Sequence, residues 1–273
     1  IAHISGGEIT EGAFDDNIRH AISKLSSLHF ATTEQHRNRL IAMGEQPSTV
    51  VNAGALGVYN IKSTKLLSLS ELEKSLGFAI QSPTLLVTYH PATNDPVDPL
   101  KRFSDLLAAL DRFAVCNVLF TYPNNDPQGM GIIDMIEKYA ATNSTRVHVV
   151  PSLGRVRYLS ALQFVDAVVG NSSSGVVEVP SAGIPTVNIG IRQRGRTTAD
   201  SVINCGDSAD EIAEAISLAL STEWKKRCRK ISNPYANPRT AKIIAETLLS
   251  ANPTDLLPKR FYDMPTHQCH SSK

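Results

Sequence analysis

The stretch Gly170–Glu178, read G-N-S-S-S-G-V-V-E, decides the fold, because it carries the chain from an apolar strand at residues 166–170 directly into the start of a helix. A row of small hydroxyl side chains and free backbone N–H groups at a helix N-terminus suits a phosphate, since the helix dipole places roughly half a positive charge there. A nucleotide diphosphate is the first ligand such a turn suggests. Helix capping by Asn171 and Ser172 is the other explanation, and this segment alone does not separate the two.

Outward from this turn, short β-branched runs alternate with segments of helical period. Strands are expected near residues 1–4, 29–32, 49–52, 85–89, 115–121, 146–150, 167–170 and 186–189, and helices near 16–25, 34–43, 99–113, 131–141, 155–163, 175–182, 209–220 and 239–250. Such alternation means α/β architecture, parallel sheets covered by helices on both faces. A helix breaks at Gly77 and Pro83 precedes a new strand, so a boundary is expected near residues 78–83. This gives a first domain over residues 1–82, a complete doubly wound unit over 83–251, and an irregular tail over 252–273. The first domain has only three strands, which reads as incomplete. The chain also starts at Ile1, inside an apolar stretch and without an initiator Met, so its natural beginning is expected to be absent.

Composition narrows the partners. The 273 residues are 42% hydrophobic and 19% charged with a formal net charge of +1, so bulk electrostatics give no reason to expect nucleic acid. No apolar run approaches the roughly 20 residues that span a bilayer, so no membrane partner is expected. Cys116, Cys205, Cys228 and Cys269 are widely spaced and form no C-x-x-C pair, which fits reduced thiols in a cytoplasmic protein. The eight histidines show no metal-ligand spacing with them, so neither a metal nor another cofactor is expected.

In a doubly wound sheet, ligands gather beyond the carboxyl ends of the strands. Five segments fall there: Ser5-Gly6-Gly7-Glu8, His90-Pro91, Pro123-Asn124-Asn125-Asp126, Pro151-Ser152-Leu153 and the Asn171–Ser174 turn. Glu8 projects a carboxylate where the chain leaves the sheet, either as acid or base or as a solvated loop residue. Asp15 and Asp16 either cap the next helix or join that chemistry, and Arg19 stands one turn on, at ion-pair spacing. Pro91 biases His90 toward an extended conformation, holding at the strand end an imidazole suited to proton transfer or to a phosphate. Glu178 lies on the helix behind the serine turn, placed for a ribose, and Arg192 in R-Q-R-G-R (Arg192–Arg196) offers guanidinium donors.

Taken in order, H-I-S-G-G-E-I-T-E-G-A-F-D-D-N-I-R-H-A-I-S-K-L-S (His3–Ser26), Y-H-P (Tyr89–Pro91), P-N-N-D (Pro123–Asp126), G-N-S-S-S-G-V-V-E (Gly170–Glu178) and N-I-G-I-R-Q-R-G-R (Asn188–Arg196) resemble the hydrolysing UDP-N-acetylglucosamine 2-epimerase family. The resemblance implies a glycosyltransferase-B type fold of two Rossmann-like domains, a UDP-sugar substrate bound mainly by the second, and a homodimer or higher oligomer. It implies conversion of UDP-N-acetylglucosamine to N-acetylmannosamine and UDP through a glycal, toward sialic acid; related members act on a diacetamido-trideoxy sugar nucleotide. Carried over residue by residue, Glu8 and Asp15 are expected to do acid/base work with His90 assisting. Arg19 and Asn124 are expected to bind substrate, backbone near Val150 to meet uracil, Ser172, Ser173 and Arg192 to hold the diphosphate, and Glu178 the ribose. Ser5 departs from relatives that carry an acidic or imidazole side chain there. The rival readings are a non-hydrolysing epimerase, whose first strand end resembles H-V-E-A-G instead, a glycosyltransferase of similar architecture, and an inactive UDP-binding module.

Overall fold

Nine strands, all paired in parallel, make two sheets among the described residues of the computed structural model, 1–124 and 128–265. The smaller sheet has the order β1 (Ala2–Ile4), β2 (Leu28–Ala31), β3 (Val50–Asn52), with α1 (Asp15–Leu25) and α2 (Glu34–Ala42) as the crossovers. The central strand β2, L-H-F-A, is buried at every position, as a strand flanked on both edges and covered on its faces must be. Phe30 and Leu28 pack with Ala53 and Ile244, and Ala31 with Leu40 and Val50.

Two helices, α3 (Leu56–Ser63) and α4 (Leu69–Leu76), lead to the larger sheet. Ser68 and Glu71 form a reciprocal capping box at the start of α4, and Gly77 ends it in the left-handed region. The larger sheet contains β4 (Thr84–Thr88), β5 (Asn117–Thr121), β6 (Val147–Val149), β7 (Ala167–Gly170), β8 (Thr186–Ile189) and β9 (Val202–Cys205). Its spatial order is β6-β5-β4-β7-β8-β9. Counted from β4 this is the doubly wound order 3-2-1-4-5-6, in which the winding reverses between the first and fourth strands.

Alternation along the strands sorts the cores. Leu85, Val87, Phe120, Val169 and Val187 face α5 (Pro99–Asp111), α6 (Gly129–Thr142) and α9 (Ala209–Leu220), whose Phe103, Leu106, Ile132, Ile212 and Ile216 complete that layer. Leu86, Leu119 and Val168 point the other way, toward Leu159 of α7 (Gly154–Ala161) and toward Leu162 and Val179. Each fully buried Leu, Ile or Phe contributes about 1.5–3 kcal/mol by leaving water, so both faces of the sheet are held.

Grouped by contacts, the chain forms two units: Ile1–Glu8, Asp15–Tyr59 and the chain from Asn237 onward in one, and Ile9–Phe14 with Asn60–Ala236 in the other. These units divide the chain elsewhere than the sequence-based limits at residues 82 and 251. The difference has a packing cause. The helix α11 (Thr240–Ser250) places Ile244 against Leu28, Phe30 and Ala53, and α4 packs Leu72 against Ile80 and Ala161 of the larger unit. Most expected elements form within two or three residues of their expected limits. The exceptions are β9, α3 and α10 (Thr222–Cys228), which were not anticipated, and the helix expected at 175–182, which starts earlier as α8 (Ser173–Val177) and passes into a 3-10 turn at Val179–Ala182. Residues 252–265 of the tail form neither helix nor strand, and the remaining expectation there lies outside the described residues.

Candidate active site

The winding reversal between β4 and β7 puts the loop after each strand beside the other. In register, Thr88 lies opposite Gly170 and also opposite Thr121, while Gly170 lies opposite Asn188, so β4, β5 and β7 end level and β8 runs one residue further. Gly170 is the one residue type that fits its place. Its φ is +135°, and a Cβ there would come within 1.9 Å of the Thr88 carbonyl oxygen.

Asn171, only 1% exposed, is the centre of the polar contacts at this edge. Its side-chain Oδ1 accepts from His90 N at 2.7 Å, and its Nδ2 donates to His90 O at 2.8 Å. Its backbone oxygen accepts from Arg192 Nη1 at 3.2 Å and from Gln193 Nε2 at 2.8 Å. The Asn124 backbone N–H, which can only donate, meets His90 Nδ1 at 3.0 Å, so a singly protonated ring carries its proton on Nε2; Asn124 Oδ1 lies 3.2 Å from the same Nδ1. His90, Asn124 and Arg192, which sequence spacing placed at three separate strand ends, are thus linked in one run of hydrogen bonds, Arg192 to Asn171, Asn171 to His90 and His90 to Asn124. Asn125 and Asp126 of the same loop lie outside the described residues.

The capping explanation of the serine turn fails on this geometry. Asn171 spends its side-chain amide on His90, and Ser172, the residue preceding α8, makes no side-chain capping bond. Ser174 Oγ instead donates to Tyr158 Oη at 2.5 Å, a phenol whose pKa burial pushes up, so that the turn is tied to α7 through a neutral group. Because α8 is only five residues long, its dipole is a fraction of the half charge of a full helix, and anion attraction falls more to the backbone N–H groups and Arg192. Ser172 is half-buried, Ser173 exposed, and Glu178 half-buried at the far end of α8. Val150 donates its N–H to Phe120 O at 3.0 Å, continuing the β5–β6 edge. The segment Ile9–Phe14 belongs to this unit: Glu11 N donates to Arg194 O at 3.0 Å, and a Cβ on Gly12 would come within 2.5 Å of Arg192 Cα.

In the smaller unit, Glu8 is 5% exposed and is therefore not a solvated loop residue. Thr32 Oγ1 donates to Glu8 Oε1 at 2.9 Å and lies 2.8 Å from His36 Nδ1. With the hydroxyl proton committed to the carboxylate, His36 Nδ1 must be the donor in the second bond, so a buried chain runs from His36 through Thr32 to Glu8. Sequence reasoning missed Thr32 and His36, although both follow the second strand end, where polar residues were sought only at other strands. Asp15 and Asp16 open α1 and both bond Arg19, at 2.9 and 3.2 Å, so the ion pair read from the spacing forms. Among the described residues, no group of three or more His, Cys, Asp or Glu side chains is arranged to hold a metal ion.

The two parallel sheets and their alternating helices define an α/β protein of the glycosyltransferase-B type. A crystal structure of UDP-GlcNAc 2-epimerase from Neisseria meningitidis bound to UDP-GlcNAc has the same fold, with a TM-score of 0.76 at 20% identity over 92% of this chain and 70% of that one. The model of the family described as UDP-N-acetylglucosamine 2-epimerase matches residues 1–249, and the chain belongs to this family of enzymes. It is 36% identical over 265 residues to GDP/UDP-N,N'-diacetylbacillosamine 2-epimerase (hydrolyzing) of Campylobacter jejuni, covering 97% of this chain and 68% of the relative. It is 33% identical over 276 residues to polysialic acid biosynthesis protein P7 of Escherichia coli, covering 100% of this chain and 69% of the relative.

Proposed function

We propose that this chain is a hydrolysing 2-epimerase that converts a UDP-linked N-acetylated amino sugar into UDP and the free 2-epimeric sugar. The observation that carries the reading is the run of hydrogen bonds from Arg192 to Asn171, from Asn171 to His90 and from His90 to Asn124 at the winding reversal of the larger sheet, where a nucleotide is expected to bind. In this reading Ser172, Ser173 and Arg192 take the diphosphate, Glu178 the ribose hydroxyls, the backbone near Val150 the uracil, and Asn124 and Arg19 the sugar-bearing part of the substrate. His90, with its proton on Nε2, donates to the leaving diphosphate or to the sugar.

The chemistry sets the remaining roles. The C1–O bond breaks with its electron pair passing to the UDP oxygen, and donors where that charge gathers lower the barrier. The C2 hydrogen, acidified as C1 becomes cation-like, leaves to a carboxylate, and the C1–C2 double bond of a glycal forms. Water then adds its oxygen at C1 while a proton returns to C2 from the opposite face, which inverts that carbon. Glu8 and Asp15 are assigned to these proton transfers.

The substrate favoured by the name of the Campylobacter relative carries two acetamido groups; UDP-N-acetylglucosamine, named in the family description, stands second. Incubation with each nucleotide in D2O, followed by mass and NMR analysis of the products, tests both points. Free sugar with inverted C2 and one deuterium at C2, released together with UDP, is the expected result. A product still linked to UDP would overturn hydrolysis in favour of the non-hydrolysing reaction, and UDP binding without sugar release would favour an inactive binding module.

A further inference from the structure

Beyond Thr88 the ladder between β4 and β7 ends, and the next residue of β4 that could pair, His90, is followed by Pro91. A primary amide carries the same donor and acceptor as a peptide group. Asn171 uses that equivalence. Its backbone N–H donates to Thr88 O at 3.2 Å, and its side-chain amide then meets both His90 N and His90 O, in the place where a further strand residue would have paired. The side chain thus lengthens the sheet by one pair and fixes the backbone of His90 on both sides of its Cα.

That backbone decides where the imidazole goes. With His90 so held, Nδ1 reaches both the Asn124 N–H at 3.0 Å and Asn124 Oδ1 at 3.2 Å; because the backbone N–H can only donate, the shorter bond favours the ring form with the proton on Nε2. At 1% exposure the two amide bonds are shielded from competing water.

We propose that Asn171 is a positioning residue that sets the orientation and tautomer of His90. The assignment rests on the reading of His90 as a group that works on the substrate only for its kinetic consequence; the structural part stands without it. Arg192 and Gln193 bond the backbone oxygen of Asn171, not its side chain, so a side-chain substitution removes the hold on His90 and leaves the bonds to Arg192 and Gln193 in place.

Ring nitrogen NMR of the full chain with 15N-labelled histidine provides the test, the His90 signals being identified by their loss in His90→Gln. In the parent chain His90 is expected to show a protonated Nε2 and an unprotonated Nδ1. In Asn171→Ala the two tautomers are expected to mix, while kcat falls between about ten- and a hundredfold, as for a displaced catalytic group, and KM changes little. The near-isosteric Asn171→Asp keeps the acceptor for His90 N but loses the donor to His90 O, and it carries the same expectation of tautomer mixing if the alanine variant does not fold. A parent-like tautomer in either folded variant would overturn the proposal. An altered tautomer with undiminished turnover would leave the clamp standing and remove His90 from the chemistry.

Discussion

Glu8 is a carboxylate closed off from water in a unit whose charged residues otherwise lie mostly at the surface, and a hydroxyl helps to secure its position. Thr32 serves this role and is in turn bonded by His36. Replacing Thr32 by Val keeps the shape and removes the donor to Glu8 and the acceptor for His36. We expect a loss of about 1–3 kcal/mol of stability, the cost of a buried polar bond left unmade, and a fall in kcat without a comparable change in UDP affinity. Thr32→Ser should restore both. Calorimetric UDP titration beside steady-state kinetics checks the split; equal losses of binding and turnover would mean that the hydroxyl serves the fold alone. Asp15 contrasts with Glu8: its side chain is 54% exposed and its ion pair with Arg19 is local, a pair worth about 0.3–0.5 kcal/mol on a helix surface.

At the scale of elements, the C-terminal tail closes the end of α1. Lys259 Nζ donates to the carbonyl oxygens of Ser23, Lys24 and Ser26 at 2.6–3.1 Å, satisfying groups that a helix end leaves without intrahelical partners. The same ammonium meets Glu45 at 2.7 Å, and Glu45 also holds Lys24 at 2.6 Å and His29 Nε2 at 2.9 Å. Burial alone would raise the Glu45 pKa, but hydrogen bonds from Lys24 and Lys259 and the attraction of His29 and Lys259 outweigh it and hold the carboxyl below its ordinary range. Burial, with Lys259 and His3, lowers the His29 pKa against the opposing pull of Glu45. Both shifts make the unfolded chain bind more protons than the folded one as pH falls, first below about 6.5 for His29, then below about 4.3 for Glu45. The melting temperature should therefore drop on acidification through both ranges. Glu45→Gln should cost about 3 kcal/mol at neutral pH, because the lysines lose their buried partner, and should flatten the decline below about pH 4.3 while the limb near 6.5 persists. Melting curves for the two proteins that run parallel across pH 7 to 3 would refute the cluster as the source of acid sensitivity.

For the whole molecule, the proposed activity requires the larger unit to bind UDP before any sugar chemistry. A ligand that binds only the folded state stabilises it by mass action, by about 2.7 kcal/mol at one hundred times its dissociation constant. UDP should accordingly raise the unfolding temperature, and Arg192→Ala should reduce that rise; the absence of any UDP effect on the parent chain would remove the nucleotide from the reading. The sequence by itself determined the parallel α/β class and the strand ends at which polar residues gather, because strand and helix periods, glycines and prolines act over a few neighbours. It also exposed the family, since the motifs keep their order along the chain. It left β9 unread, a half-exposed edge strand of four residues, and α3, whose L-G-V-Y-N-I-K-S has little helical preference of its own. Only the tertiary structure decided that Asn171 bonds His90 instead of capping α8, that Thr32 and His36 stand behind Glu8, and that α11 returns to the smaller sheet. Each of these joins residues far apart in sequence or chooses between two partners within reach, and such a choice is made by burial and by the satisfaction of hydrogen bonds in the folded chain, which no local pattern encodes.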